Sequence, residues 1–203
     1  MNLPITVEEA RRLYTGGDAA HAFDHVLRVY RLARRIGEAE GADMRVLLTA
    51  ALLHDIARHE PDHHLRGAEA ARRLLAGEPP AFVDAVAHCI EAHRFRAGPD
   101  PQTLEARILQ DADKLDAIGA VGVARAFAHA GHHGHRLWAP LRQVARDPRP
   151  EGEDYTPVHE YWYKLRHLAD MLHTETARAI ARERHAFMDR FFAQFDMECQ
   201  GEL

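Results

Sequence analysis

The apolar positions of this chain recur mainly at intervals of three and four residues, which is the spacing of amphipathic α-helices. Runs of β-branched residues are nearly absent, and Gly or Pro clusters end most of the periodic segments. The pattern therefore predicts an all-α protein. The predicted helices cover residues 7–14, 21–40, 43–58, 65–76, 82–95, 104–117, 123–130, 137–145, 158–172 and 174–195.

The least regular part of the chain is the segment 131–157, which is rich in Gly, Pro and His and also contains Trp138 and Tyr155. It is too long for a simple helix connection, and such segments often close over a ligand. We expect it to be a lid that borders the active site, with a surface insertion as the alternative. The sequence predicts one domain over residues 1–203, with a core at about 18–130, this insertion, and C-terminal helices at about 158–196.

The composition fits a soluble globular protein, with 46% hydrophobic residues among 203. The net charge is −5 and both signs are interspersed, so no basic stripe indicates a nucleic-acid polymer as partner. Cys89 and Cys199 lack zinc-type spacing and favour free thiols in a reducing, cytoplasmic compartment. We expect no secretory signal and no membrane segment. The oligomeric state is left open.

Histidine and aspartate side chains interrupt three otherwise apolar helix faces. His54-Asp55 closes the apolar run 46–53, His25 shares a face with Val29 and Ile36, and Asp113 is aligned with apolar positions of its helix. Burying an isolated carboxylate is costly, whereas a bound cation removes that cost. The order His, His-Asp, Asp therefore indicates ligands for one divalent ion. Each residue taken alone could instead be a hydrogen-bonded core histidine or a capping aspartate.

Three segments together, residues 21–29, 50–55 and 110–120, resemble the HD-domain metal-dependent phosphohydrolases, specifically a branch of small bacterial HD hydrolases. Residues 164–165, 174–178 and 181–184 resemble the tail of that branch, and only about 131–157 lies outside the similarity. The resemblance implies an all-helical HD fold with metal ligation by His25, His54, Asp55 and Asp113. It also implies hydrolysis of a phosphate ester or anhydride, often in a nucleotide.

Two imidazoles and two carboxylates suit Mn, Mg, Fe, Ni, Co or Zn without selecting among them. Such an ion lowers the pKa of bound water and neutralises charge on phosphoryl oxygens. Asp55 is the ligand expected to act in catalysis by orienting that water. Lys114 is a candidate for binding the substrate phosphate, with a surface ion pair as the alternative.

Two further histidines are candidate ligands of a second metal ion. His63 and His93 lie on different predicted helices, and Asp55 could bridge two ions. With a single ion, which we favour, His93 would instead be catalytic, donating a proton or a hydrogen bond to the phosphate.

Two other features stand apart from this set. The histidines at 129, 132, 133 and 135 form a tract typical of adventitious metal binding. Where the small HD branch usually has a histidine four residues before its C-terminal lysine, this chain has Glu160, with His159 one place earlier.

Two rival functions remain beside hydrolysis of a small phosphorylated substrate. The HD scaffold is also used by di-iron oxygenases, which would require two irons, because a fold does not fix a function. A nucleotide-sensing module without turnover is the non-enzymatic rival, although it would have less need of an open metal position.

Overall fold

The computed structural model describes residues 2–14, 23–94 and 98–203. These residues form helices, turns and loops without any strand, so the all-α prediction is confirmed. The helices are α1 (Val7–Leu13), α2 (Phe23–Glu40), α3 (Met44–Leu53), α4 (His63–Leu74), α5 (Pro80–Ala92), α6 (Leu104–Asp116), α7 (Gly119–His132), α8 (Leu141–Arg146), α9 (Pro157–Tyr163) and α10 (Glu175–Gln200), with short 3₁₀ helices at Gly152–Asp154 and Leu165–Met171. The predicted helix limits at His21 and Phe95 lie outside the described residues.

Several predicted helices are shorter than the sequence pattern indicates, and for two of them the backbone shows the cause. Helix α3 ends at Leu53, because the chain continues in turns with i to i+3 hydrogen bonds, such as Arg58 N–H to the Asp55 carbonyl at 3.0 Å. The predicted helix 158–172 is divided at Lys164, whose φ of −132° and ψ of −61° are not helical. Helix α7, in contrast, begins four residues earlier than predicted, at Gly119.

The chain divides into two compact units, and the first comprises residues 1–113 and 173–177. In this unit α2 packs on α3, α3 on α5, and α4 on α5. Every residue of α3 from Val46 to Leu53 is buried. The close approach of α2 and α3 depends on Gly37, where a Cβ atom would lie 2.5 Å from Cδ2 of Leu47. A buried α3 thus delivers the residues that follow it to the interior.

The start of α10 is anchored in the first unit by Asp111 of α6. The two carboxyl oxygens of Asp111 accept hydrogen bonds from the backbone N–H groups of His173 and Thr174, and one also accepts from Thr174 Oγ1, each at 2.8 Å. Thr174 Oγ1 in turn accepts from Ala177 N–H at 3.3 Å, which makes Thr174 the N-cap of α10.

The second unit comprises residues 114–172 and 178–203. Its α7 packs on α9, and α8 packs on α9. Gly119 begins α7 with φ of +77°, and a Cβ atom there would lie 2.9 Å from the Arg184 side chain. In the segment 131–157, Trp138 Nε1–H donates to Asp196 at 2.8 Å, and Tyr163 Oη donates to the Val144 carbonyl at 2.8 Å. The segment is therefore attached to helices of its own unit.

None of the helices in the described part of the chain has both the length and the apolar character needed to cross a bilayer.

Candidate metal centre

The centre is built around the turn that ends α3. His54 is fully buried and Asp55 is 3% exposed. His54 Nδ1 lies 2.9 Å from the Ala51 carbonyl, so Nδ1 carries the proton and Nε2 keeps its lone pair. That Nε2 lies 3.3 Å from Nε2 of His25, on α2. The local backbone thus sets the tautomer that a metal ligand needs.

The four predicted ligands come together from three parts of the first unit. Nε2 of His25 lies 3.3 Å from Oδ1 of Asp113, on α6, and 3.7 Å from Oδ2 of Asp55. Nε2 of His54 lies 3.9 Å from the same Asp55 oxygen. The ligand atoms of His25, His54 and Asp55 all lie within 4.8 Å of one another. His25, His54 and Asp55 therefore face a common point, and Asp113 lies beside it in contact with His25.

A second triad shares Asp55 with the first. Oδ1 of Asp55 lies 3.7 Å from Nε2 of His93, which follows α5, and 4.0 Å from Nε2 of His63, the first residue of α4. These three ligand atoms also lie within 4.8 Å of one another. His93 Nδ1 lies 2.6 Å from the Ile90 carbonyl, which fixes the same tautomer as in His54. We call these six residues the Asp55 centre: His25, His54, Asp55, His63, His93 and Asp113.

The two oxygens of Asp55 have different partners. Oδ2 accepts a hydrogen bond from Arg58 Nη1 at 2.9 Å. Oδ1 is buried and has no hydrogen-bond partner. An unpartnered buried carboxylate oxygen is costly, and buried polar groups are normally satisfied. A cation bound at this oxygen, or the water or substrate that a neighbouring cation orders there, would supply the missing interaction, so the donor set fits a metal ion.

The ionisation states suit a cation. Burial lowers the pKa of His54 and of His93, and it lowers the pKa of His63 to about 4. Burial alone would raise the pKa of Asp55, but the interactions with His54 and Arg58 outweigh it and lower that pKa to about 2. At neutral pH these imidazoles are neutral and the carboxylate is charged, as metal binding requires.

Asp113 resembles Asp55 in its electrostatics. Burial would raise the pKa of Asp113, but the hydrogen bond with His25 and the electrostatic interactions with His25, His54 and His93 together outweigh burial and lower that pKa. The side chain retains 30% exposure, so this carboxylate lies at the open side of the centre.

Lys114, the predicted phosphate ligand, is buried rather than on an outer helix face. It is 4% exposed, and its Nζ donates to the Met171 carbonyl at 3.0 Å in the second unit. Its role in substrate binding stays a prediction. Glu160 accepts a hydrogen bond from Tyr155 Oη at 2.8 Å and pairs with Lys164, so it has an ordinary polar environment.

Sequence reasoning missed Arg58 and Asp111. Arg58 stands three residues after Asp55, and this i,i+3 spacing allows an ion pair between the two side chains. It was the only local signal for the contact. The Asp111 partners lie 62 and 63 residues away in sequence, so no local signal indicated them.

Comparison with known proteins agrees with this geometry. Residues 22–118 match the HD domain family. The chain is 38% identical over 196 residues to an uncharacterized protein, YpgQ of Bacillus subtilis, covering 93% of this chain and 89% of YpgQ. The chain belongs to the HD-domain family. The resemblance recognised in the sequence is confirmed.

Solved structures of HD relatives have the same fold. Bacillus subtilis YpgQ in complex with ADP superposes with a TM-score of 0.76 at 35% identity, covering 95% of this chain and 97% of that one. An HD-superfamily hydrolase from Bacillus thuringiensis also gives 0.76, at 28% identity over 96% and 94% of the two chains. The similarity to these HD relatives supports the assignment of the chain as a hydrolase.

A narrower similarity links about half of the chain to Ribonuclease Y. Ribonuclease Y of Chloroflexus aurantiacus is 37% identical over 110 residues, which are 52% of this chain but 20% of that protein. The match therefore concerns the shared domain and not the whole ribonuclease.

Proposed function

We propose that this protein is a divalent-metal-dependent hydrolase of phosphate esters or anhydrides, acting on a nucleotide or another small phosphorylated metabolite. The observation that carries the proposal is the environment of the Asp55 carboxylate. Its two buried oxygens face separate histidine pairs, and one of them has no protein partner. A purely structural carboxylate would be satisfied by protein donors.

His25, His54, Asp55 and Asp113 are the residues that would hold the ion. When bound, a divalent ion activates water for attack and neutralises charge on phosphoryl oxygens. Burial keeps His54 neutral, and its Nδ1 hydrogen bond leaves Nε2 free to act as a ligand. The interactions of Asp55 with His54 and Arg58 keep that carboxylate anionic despite its burial. Arg58 restrains Oδ2 of Asp55, which limits reorientation of that carboxylate.

We propose one ion per chain, because the two triads differ in charge. The first triad together with Asp113 contains two carboxylates, whereas the second contains only the shared Asp55. A divalent cation binds more tightly where more negative charge faces it. His63 and His93 are then left as imidazoles beside Oδ1 of Asp55. Nε2 of neutral His93 carries a lone pair and is placed to accept a proton from water, and the expected donation to a phosphate oxygen or a leaving group requires that this nitrogen first be protonated.

The nucleotide part of the proposal is supported by the ADP complex of YpgQ. Because the two chains are 35% identical over nearly their whole lengths, nucleoside diphosphates are the first substrate class to test. The Ribonuclease Y match makes a phosphodiester in RNA the second, although the net charge of −5 disfavours a long polyanion.

A screen of metals against substrates tests this function. Tag-free protein would be assayed with Mn²⁺, Mg²⁺, Co²⁺, Ni²⁺, Fe²⁺ and Zn²⁺ for phosphate or pyrophosphate release from nucleotides, small phosphate esters and a short RNA. The matched control for His54→Ala is His59→Ala, because His59 is exposed and five residues away. Hydrolysis that needs a metal and His54 but not His59 supports the proposal. Equal activity in both variants contradicts it.

The sharing of Asp55 by two triads also favours a second candidate, a di-iron oxygenase. That function requires two irons per chain and oxygen consumption, both measurable on protein purified anaerobically with Fe²⁺. A colourless protein that hydrolyses phosphate esters or anhydrides with Mn²⁺ or Mg²⁺ excludes oxygenation as the main activity. Nucleotide binding with no turnover under any metal would instead indicate a sensing module.

A further inference from the structure

Three histidines at the end of α7 form a second cluster, which we call the α7 cluster: His129, His133 and His135. The ring centres of His129 and His133 are 4.2 Å apart, those of His133 and His135 are 5.7 Å apart, and those of His129 and His135 are 6.2 Å apart. All three pairs are thus in mutual contact. The fourth histidine of the tract, His132, has a described ring contact with His133 at 5.0 Å.

The backbone at the helix end produces this arrangement. Helix α7 ends in a Schellman turn, in which His135 N–H donates to the Ala130 carbonyl at 2.9 Å and Gly134 N–H donates to the Gly131 carbonyl at 3.3 Å. Gly134 has φ of +68°, the left-handed conformation that this turn requires. The turn folds the chain back, so that His135 lies beside two histidines that are four residues apart on the helix.

Two ring nitrogens of the cluster have the features of ligands. His133 Nδ1 lies 2.9 Å from the His129 carbonyl, so Nε2 keeps its lone pair, as in His54 and His93 of the Asp55 centre. His135 Nδ1 is buried and has no hydrogen-bond partner. Burial and the neighbouring His133 lower the pKa of His129, which favours its neutral, ligating form.

The ring separations are compatible with one shared ion. A metal–nitrogen bond of about 2 Å places a ring centre about 3 Å from the ion, and tetrahedral geometry then separates two ring centres by about 5 Å. The histidine pairs of the Asp55 centre have ring separations of 5.3 to 5.6 Å. Among the described residues, only the two Asp55 triads already have all ligand atoms within 4.8 Å. Ion binding at the α7 cluster therefore requires ring rotation, which is open to His129 and His133 because both are exposed.

We propose that His129, His133 and His135 form a separate binding site for a borderline transition-metal ion of the Zn²⁺ or Ni²⁺ type. Three imidazoles without a carboxylate favour such ions over Mg²⁺ or Ca²⁺, which prefer oxygen ligands. The ion would join the last turn of α7 to the first residues of the segment 131–157. This site is chemically distinct from the Asp55 centre, where carboxylates take part.

Zinc titration of tag-free protein tests the site. We would use the Asp55→Asn background to remove the residue shared by both triads of the Asp55 centre, keep excess Mg²⁺ present, and measure Zn²⁺ binding with a competing chromophoric chelator. The variants added to that background are His133→Ala, the neighbouring control His132→Ala, and Gly134→Val. Circular dichroism and thermal melting verify that each variant is folded. The wild-type protein is titrated in parallel.

The expected result is one Zn²⁺ per chain in the Asp55→Asn background, unaffected by Mg²⁺. His133→Ala should weaken binding by about tenfold or more, since loss of even a supporting group costs a metal site about that much. Gly134→Val should also weaken binding, because valine is strained at positive φ while no atom lies within 4 Å of its Cβ position. His132→Ala should leave the affinity within about twofold. Absence of Zn²⁺ binding, equal losses in His132→Ala and His133→Ala, or no effect of Gly134→Val would overturn the proposal.

Discussion

Asp55 and Asp111 are both buried carboxyl groups of the first unit, yet their surroundings differ. Asp111 is completely buried, and its two oxygens accept three hydrogen bonds from the residues that begin α10. Asp55 has one oxygen bonded to Arg58 and the other facing two neutral histidines with no donor. Protein donors satisfy both oxygens of Asp111, whereas Oδ1 of Asp55 needs a bound ligand as its partner. Burial of a carboxyl group by itself therefore does not identify a functional site, but the absence of protein donors around it does.

The largest expected effect is the loss of hydrolysis when a candidate metal ligand of the Asp55 centre is removed. His54→Ala should reduce metal-dependent turnover by about 100-fold or more, because even supporting groups of metal sites contribute 10- to 100-fold. Steady-state phosphate release checks this, with circular dichroism to show that the helices persist. A turnover within twofold of wild type, at unchanged metal content, would contradict the role of His54.

Asp111→Asn should show the opposite behaviour, with a large loss of stability and no specific loss of metal. The amide cannot accept from all three donors, and hydrogen bonds to a charged group contribute about 1.5–3 kcal/mol each. We expect the free energy of unfolding to fall by about 3 kcal/mol, measured by urea denaturation with and without Mn²⁺. The same loss should occur in both conditions. A loss that appears only with metal present would place Asp111 in the metal centre.

Metal removal should lower the melting temperature of the wild-type protein. Metal at 100 times its dissociation constant stabilises the folded state by about 2.7 kcal/mol, or about 5–10 °C for a chain of this size. Asp55→Asn should abolish this difference, whereas Asp111→Asn should retain it. Differential scanning fluorimetry over a Mn²⁺ series measures the effect. A wild-type melting temperature that is equal with chelator and with excess Mn²⁺ contradicts the expectation.

The variant His93→Ala tests whether the second triad binds a metal ion. Under our proposal of one ion, the variant keeps about one metal ion per chain and loses turnover, since His93 transfers protons in the reaction and does not hold the ion. Metal analysis by mass spectrometry, together with turnover at saturating Mn²⁺, distinguishes the cases. A fall from two ions to one would show that His63, His93 and Asp55 hold a second ion.

The smallest expected effect concerns the segment 131–157. If it is a lid, trypsin should cleave after Arg142 and Arg146 several times more slowly once Mn²⁺ and a non-hydrolysable nucleotide are added. Cleavage rates followed by mass spectrometry test this. Equal rates in both states would identify the segment as an insertion unrelated to the site.

The fold and the positions of the four candidate ligands could be predicted because their signals are local. Helix periodicity placed His25, His54 and Asp113 on inward faces, and Asp55 followed from its adjacency to His54. The end of α3 at Leu53 could not be predicted, because the apolar run before it would also suit a longer helix. The burial of Lys114 depends on the Met171 carbonyl, which is 57 residues away. The separate roles of the two Asp55 oxygens arise from tertiary packing, which no helical periodicity encodes.

Metal content after equilibrium dialysis against Mn²⁺ tests the central claim most directly, when Asp55→Asn and Asp111→Asn are compared with the wild-type protein. The account predicts about one ion per chain in the wild type and in folded Asp111→Asn, and essentially none in Asp55→Asn. Retention of the ion by Asp55→Asn, or its loss from both variants alike, would contradict the assignment of Asp55 as the residue around which the metal centre is built.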